Sequence, residues 1–319
     1  MSLSIRNYQA ADFDGLLALL NAAVQANEDL PPSTPAMLDA RLNTPGCDPA
    51  QDVFVAEVPG AGLAGFSEGA LRLLATRAMY FTRGAVLPAF RRQGIGRTLL
   101  EHQWSRLLTI ASTPLGLPLT LAARVPESHA GAIALYTSFG MQHVRYFLEM
   151  NRDLLRPLPA LDLPPGLSLR SWAAAEAIQA VLAAINEAFA DHWDYVPEST
   201  ESFQHRLAAR LFTPEHSVIA WDGDQVAGGS LNTLGQKAEL RMGRNTGWVN
   251  LLFVRRAWRG RGLGRALLAA TMAGATRLGH TALGLNVDAE NLTGAVHLYE
   301  AAGFRVTIRR VIFHRRLLS

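Results

Sequence analysis

Cysteine and lysine are almost missing from this chain: its 319 residues include one of each, Cys47 and Lys237. A single cysteine excludes an internal disulfide, a cysteine-based metal site and a paired-thiol redox centre, and it makes a reducing compartment the default. Long apolar runs are scarce as well. The uncharged stretch 107–123 is broken by Pro114, Gly116 and Pro118, and residues 1–8 hold no apolar signal core. The expectation is a soluble cytoplasmic protein with no membrane partner and no metal. The basic excess is mild, with net charge +3 and pI near 9.3. No basic run interleaves with aromatics, which excludes a nucleic-acid groove as the main business of the chain. The arginines gather instead in two glycine-rich stretches and in the pairs Arg309-Arg310 and Arg315-Arg316, which are expected to sit on exposed strand faces.

What the chain does have is a repeat. The stretch Arg259-Gly260-Arg261-Gly262-Leu263-Gly264-Arg265 has an earlier, weaker copy in Arg91-Arg92-Gln93-Gly94-Ile95-Gly96-Arg97. Glycines are needed in Arg-x-x-Gly-x-Gly because a bulky side chain would keep the backbone away from a pyrophosphate, while the helix that follows turns its N–H groups and positive dipole end toward the anion. Helical spacing follows each copy, in Leu267, Leu268, Met272, Ala275 and Leu278, and in Leu99, Leu100, Gln103, Trp104, Leu107 and Leu108. Apolar runs precede both, at 248–254 and, less cleanly, at 85–87. The unit reads as strand, phosphate loop, helix.

The repeat continues downstream, where Gly-Ala-x-x-Leu-Tyr-x-x-x-Gly recurs around Tyr136 and Tyr299. The loop glycines Gly94 and Gly262 are 168 positions apart and the tyrosines 163, so the first copy carries five extra residues between its motifs. Between the copies, residues 156–166 are proline-rich and poor in backbone donors, which reads as a linker. The expected domains are therefore 1–155 and 167–319, each large enough to bury its own core.

Twice in order, then, come an apolar strand, Arg-x-x-Gly-x-Gly, a helix, a strand and an Ala-x-x-Leu-Tyr helix. This resembles the GNAT superfamily of N-acetyltransferases in its tandem two-domain form, over nearly the whole chain. The resemblance implies a mixed α/β fold: two domains, each a splayed, mostly antiparallel mixed sheet flanked by helices. It implies acetyl-CoA wedged between strands 248–254 and 282–287, with the main chain of Phe253 and Val254 on the pantetheine arm. Arg259 to Arg265 would hold the pyrophosphate and Asn291 would touch the cofactor or cap the last helix. In the first copy Val86, Arg91, Arg92, Gln93, Gly94, Ile95, Gly96 and Arg97 hold the equivalent places. A narrower form of the resemblance is to the tandem acetyltransferases of mycothiol synthesis. A reading of another class is a non-catalytic acyl-CoA-binding or regulatory module.

On the same resemblance Tyr299 faces the thioester sulfur and supplies a proton to the departing thiolate. Acetyl transfer also needs an unprotonated amine, from a small molecule or a peptide, held against a polarised carbonyl. Many relatives carry a carboxylate on the strand before the loop. Here Asn250 and Leu251 occupy that place in the second copy, and Thr82 and Arg83 in the first. The expected base is therefore among Glu187, Asp191, His192 and Asp194, near the end of the helix expected over 176–189, unless the acceptor amine has a low pKa. The C-terminal copy, with its fuller loop and Asn291, is the expected catalytic one, in a monomer or homodimer.

Overall fold

The structure, a computed structural model, describes residues 4–25, 33–60, 62–74, 76–113, 116–171, 178–193, 195–208, 213–234, 245–291 and 294–317. The chain forms two compact units that are not consecutive in sequence: Met1–Arg145 with Arg310–Ser319, and Tyr146–Arg309.

In the N-terminal unit the elements run β1 (Ser4–Asn7), α1 (Phe13–Gln25), α2 (Pro35–Leu42), α3 (Pro49–Asp52), β2 (Val53–Val58), β3 (Gly62–Leu73), β4 (Ala78–Val86), α4 (Ile95–Ala111), β5 (Leu119–Pro126) and α5 (Ala130–Ser138). β1 to β4 are successive antiparallel neighbours, and β4 lies parallel to β5. A parallel step needs a long crossover, which α4 supplies. Of the expected short run 85–87, Ala85 and Val86 are the end of β4 and Leu87 follows it. The strand's earlier residues alternate poorly because Ala78, Met79 and Tyr80 are all buried.

The strand after α5, β6 (Gln142–Asp153), leads out of this unit. The C-terminal unit continues with β7 (Leu167–Ser171), α6 (Ile178–Phe189), α7 (Thr200–Ala208), β8 (Val218–Asp222), β9 (Gln225–Thr233), β10 (Thr246–Val254), α8 (Leu263–Arg277), β11 (Ala282–Asp288), α9 (Ala295–Ala301) and β12 (Arg305–Arg316). β7 to β10 are antiparallel neighbours, and β10 lies parallel to β11 across α8.

Each unit's sheet is completed by the strand that follows the other copy's last helix. Residues Phe147 to Asp153 of β6 pair antiparallel with Asp288 to Ala282 of β11. Arg310 to Arg316 of β12 pair with Pro126 to Thr120 of β5. The expected domains 1–155 and 167–319 thus differ from the compact units at both ends. The expected linker, 156–166, lies within the second unit, between β6 and β7, rather than between the two units. Its start is held by Arg152, whose Nη2 donates to the Pro157 carbonyl at 2.6 Å.

The arginine pairs are not simple surface decoration. Arg315 donates to the Phe139 carbonyl at 2.7 Å and lies 4.0 Å over the Trp104 ring, and Arg309 lies 3.9 Å over Tyr146. An arginine stem covers apolar surface and its plane stacks on aromatic faces. Among the described residues no helix is long and apolar enough to cross a membrane.

Candidate active site

β10 and β11 begin as a paired parallel ladder and then part. Pairing runs from Thr246 with Ala282 to Val249 with Leu285. Beyond it β10 continues beside β9 while β11 continues beside β6. Main-chain groups of residues 250–254 therefore face a gap rather than a neighbouring strand on that side, including those of Phe253 and Val254. The Phe253 side chain is buried against α6, so only its backbone is available to the gap.

A register shift between Val249 and Leu251 marks a bulge at Asn250. Bulges re-aim a side chain, and here Asn250 Nδ2 donates to Thr233 Oγ1 at 2.7 Å. Thr233 is the cross-strand partner of Trp248, so Asn250, Thr233 and Trp248 share one face of the sheet. A Cβ on Gly284 would meet the Trp248 ring at 2.3 Å and Asn151 Oδ1 at 2.8 Å, which puts those two side chains on that face and explains the glycine. The opposite face carries Val249, Leu285, Met150 and Tyr299 in the core under α8 and α9. The N-terminal unit has the same parting of strands, after Thr82 with Ala123. It lacks the bulge: β3 and β4 keep one register from Gly65 with Val86 to Leu73 with Ala78.

The glycine-rich stretch follows at the end of β10. Gly260 and Gly262 have φ of +73° and +88°, and an added Cβ at either would meet nothing within 4 Å. Left-handed backbone facing open space is a cradle, and Gly262 is the N-cap of α8. Gly264 is glycine for another reason, since its Cβ would press on Leu298 at 3.2 Å. In the first copy Gly94 repeats the open left-handed geometry with φ +87°, and Gly96 the close approach, to Leu135 at 3.3 Å. Arg92 stands where the second copy has Gly260 and takes φ +64°, the one non-glycine with positive φ among the described residues. That conformation costs an L-residue roughly 1–2 kcal/mol. These residues fit a diphosphate: open N–H groups at a helix N-terminus, with cations beside them.

The loop arginines divide their work. Arg259 Nε donates to the Val254 carbonyl at 3.1 Å and its Nη2 to the Ala188 carbonyl at 2.8 Å, and Arg91 repeats the first contact on Val86 at 3.1 Å. Both therefore brace the loop against the strand. Arg261 and Arg265 are exposed and make no ion pair among the described residues, which leaves their charge for an anion. Arg97 pairs with Glu101 at 3.1 Å, and Gln93 donates to the Ala89 carbonyl at 3.2 Å. Leu263 and Ile95 are buried and serve as anchors, so only their main chain is open to a ligand.

Tyr299 is 7% exposed and packs 5.9 Å from Phe304. Loss of water around its phenol pushes the pKa up to about 12, and the same cause does the same for Tyr136. Asn291 does not cap the last helix. α9 starts at Ala295 with Gly294 at its N-cap, φ +70°, and Asn291 lies in the turn after β11, its N–H bonded to the Asp288 carbonyl at 3.2 Å. The glycine takes the cap because it enters left-handed conformation freely. Gly303, with φ +87°, follows the helix end in left-handed conformation.

The expected bases are drawn toward the loop. Glu187 accepts from Arg255 Nε at 2.6 Å, and Asp191 accepts twice from Arg256 Nη2 at 2.5 and 2.7 Å. Glu187 ties the last turn of α6, and Asp191 the turn after it, to the segment entering the loop. His192 sits against Phe189 with ring centroids 4.4 Å apart. Burial, and then the Arg259 charge, push its pKa down, while Asp288 pulls the other way. His192 is therefore disposed to stay neutral, held against the end of α6 by its contact with Phe189. Asp194 lies outside the described residues. Sequence reasoning missed Trp248 and Asn151 as floor residues. The signal for the first was Gly284 one strand away, and for the second there was none without the pairing of β6.

The chain is similar to known acetyltransferases. The pattern of the Acetyltransferase (GNAT) family matches residues 179–304, and that of the Acetyltransferase (GNAT) domain matches residues 49–142. A mycothiol acetyltransferase of Geodermatophilus obscurus is 33% identical over 296 residues, covering 91% of this chain and 89% of its own. One from Thermobispora bispora is 30% identical over 304 residues, covering 95% and 96%. Among solved structures, a GCN5-related N-acetyltransferase from Sphaerobacter thermophilus superimposes with TM-score 0.83 at 26% identity, over 98% of this chain and 95% of that one. A tandem GNAT protein from the clavulanic acid biosynthesis pathway shares the fold, with TM-score 0.72 at 21% identity over 99% and 98%. The chain belongs to the GNAT acetyltransferase family and is an acetyltransferase with two such domains in tandem.

Proposed function

We propose that the C-terminal unit moves the acetyl group of acetyl-CoA to the amine of a small-molecule acceptor. The observation that carries this is the difference between the two copies at equivalent places. The second has a bulge that turns Asn250 beside Trp248 at the strand gap. The first has an unbroken β4 whose Arg83 is tied to Glu68, itself held by Arg41 at 2.6 Å. Its retained loop supports binding of an acyl-CoA there without turnover. Bound acetyl-CoA supplies the activated acetyl group. The chain's part is to hold the diphosphate on Gly260, Gly262 and the α8 N-terminus, to clamp the arm along β10, and to present the acceptor from the Trp248 face. The relatives named mycothiol acetyltransferase make the acceptor that such an enzyme completes the first to try. CoA release from acetyl-CoA, followed as free thiol, tests the reading with that acceptor, an amino sugar, an aminoglycoside, a polyamine and a peptide amine. Amine-dependent release is expected with at least one of them, and none with any would overturn it.

Tyr299 lies on the other face of the sheet, in the core under α8 and α9, and its raised pKa limits its role. A phenol near 12 facing a thiol near 8.5 in water is about 5 kcal/mol uphill for full proton transfer. Its service is a hydrogen bond to the leaving sulfur. Such bonds to charged groups contribute about 1.5–3 kcal/mol, so Tyr299→Phe is expected to slow turnover about 10- to 100-fold while calorimetric affinity for acetyl-CoA holds. A rate unchanged from pH 6 to 9 would make Tyr299 a core residue only.

A further inference from the structure

We infer that Glu149, a residue of β6 and so of the first repeat by sequence, accepts the acceptor's ammonium proton at the C-terminal site. This rests on the transferase reading above and adds the group that β10 lacks. Glu149 is the cross-strand partner of Asn286, and Asn286 is the first residue of β11 beyond its last pair with β10. Directly opposed residues have Cβ atoms about 4.5–5.5 Å apart. A glutamate side chain, with one bridging water, spans from there to the mouth of the gap.

The face is fixed by alternation. Asn151 shares a face with Trp248 through Gly284, and Glu149 and Asn286 each stand two residues further along the same strands as Asn151 and Gly284, hence on that same face. Glu149 is half-buried and Asn286 exposed. The charged residues on the strands beside it are Asp288, two residues past Asn286 on β11, and Arg305 and Arg309, on either side of Thr307 on β12. Arg305 is engaged with the Glu300 and Phe304 carbonyls at 3.4 and 3.1 Å. Thr307 between them accepts from Asn151 Nδ2 at 3.0 Å and donates to the Glu149 carbonyl at 3.2 Å, which fixes the backbone there.

Proton acceptor and hydrogen-bond donor then lie on opposite faces of the sheet, Glu149 on one and Tyr299 on the other. An ammonium gives one proton to the carboxylate and becomes an amine. Its lone pair forms the C–N bond as the thioester C–S bond breaks. The second nitrogen proton ends on the sulfur as a thiol, and Glu149 releases the first to solvent. In the N-terminal unit the corresponding pair is Ile312 with Arg124, so the same strand exchange supplies no acid there.

Glu149→Gln keeps the shape and removes the charge. Amine-dependent CoA release is expected to fall about 100- to 10,000-fold at neutral pH. The acid limb of kcat/KM, common to two active acceptors in the parent protein, should come to follow each acceptor's own amine pKa. Calorimetry without acetyl-CoA should show the protonated acceptor binding about 10-fold more weakly, while acetyl-CoA binds as before. A pH profile and acceptor affinity both unchanged in Glu149→Gln would overturn the assignment and leave acetyl transfer standing. A parent protein that releases no CoA with any amine would overturn the transferase reading and this assignment with it.

Discussion

Removing residues 310–319 is expected to unfold the N-terminal unit, although those residues are the farthest from it in sequence. β5 would lose the partner strand that runs from Arg310 to Arg316. Val311, Ile312 and Phe313, between 2% and 8% exposed, would leave the core. Each buried side chain of that size contributes about 1.5–3 kcal/mol, so the three alone approach the roughly 5–15 kcal/mol that holds a whole domain folded. Phe313 also packs 5.6 Å from Tyr136, and Arg315 donates to the Phe139 carbonyl at the end of α5. Phe313→Ala is the milder version, with an expected cost of about 3–5 kcal/mol. Hydrogen exchange resolved by peptide should show protection lost across β4 and β5 and kept across β8 to β11, whose pairing partners all remain. Protection retained at Leu119–Pro126 in the truncated chain would show that β12 adds little to that sheet.

That exchange of strands could not be read from the sequence, and the reason is physical. β6 and β12 are copies of one strand, each following its own Gly-Ala-x-x-Leu-Tyr helix, and a strand's alternation says which face is buried but not which neighbour it pairs with. Met150 and Phe313 fill equivalent core places under β11 and β5, so either copy's pattern suits either sheet. What was legible depended on local backbone needs. The two loops, the helices they open and the Gly303 cap are set by glycines whose φ values leave little choice. The ion pairs of Glu187 and Asp191 were not legible because their partners, Arg255 and Arg256, are more than sixty positions away. The same distance in sequence hid Glu149, which lies in the first copy and pairs in the second.

Acetyl-CoA affinity at the C-terminal loop is expected to drop at least about 100-fold in Gly262→Val. Two effects act together, and their sizes separate them. Valine at φ +88° is strained by roughly 1–2 kcal/mol, which lowers stability without unfolding a domain. The larger effect is on the ligand. The added Cβ would meet no protein atom within 4 Å, so the side chain projects into the open cradle itself, at the N-terminus of α8. A branched side chain there keeps the diphosphate out of hydrogen-bond reach. Loss of even two charge-assisted bonds, at about 1.5–3 kcal/mol each, exceeds the 2.7 kcal/mol that a 100-fold change represents. Gly264→Ala makes the contrast, since its Cβ would press on Leu298 at 3.2 Å and should shift α9 more than it blocks the anion. Calorimetry with acetyl-CoA, read beside thermal melts, distinguishes the two. Full affinity in Gly262→Val, with the melt lowered as expected, would mean that the diphosphate is held somewhere other than this loop.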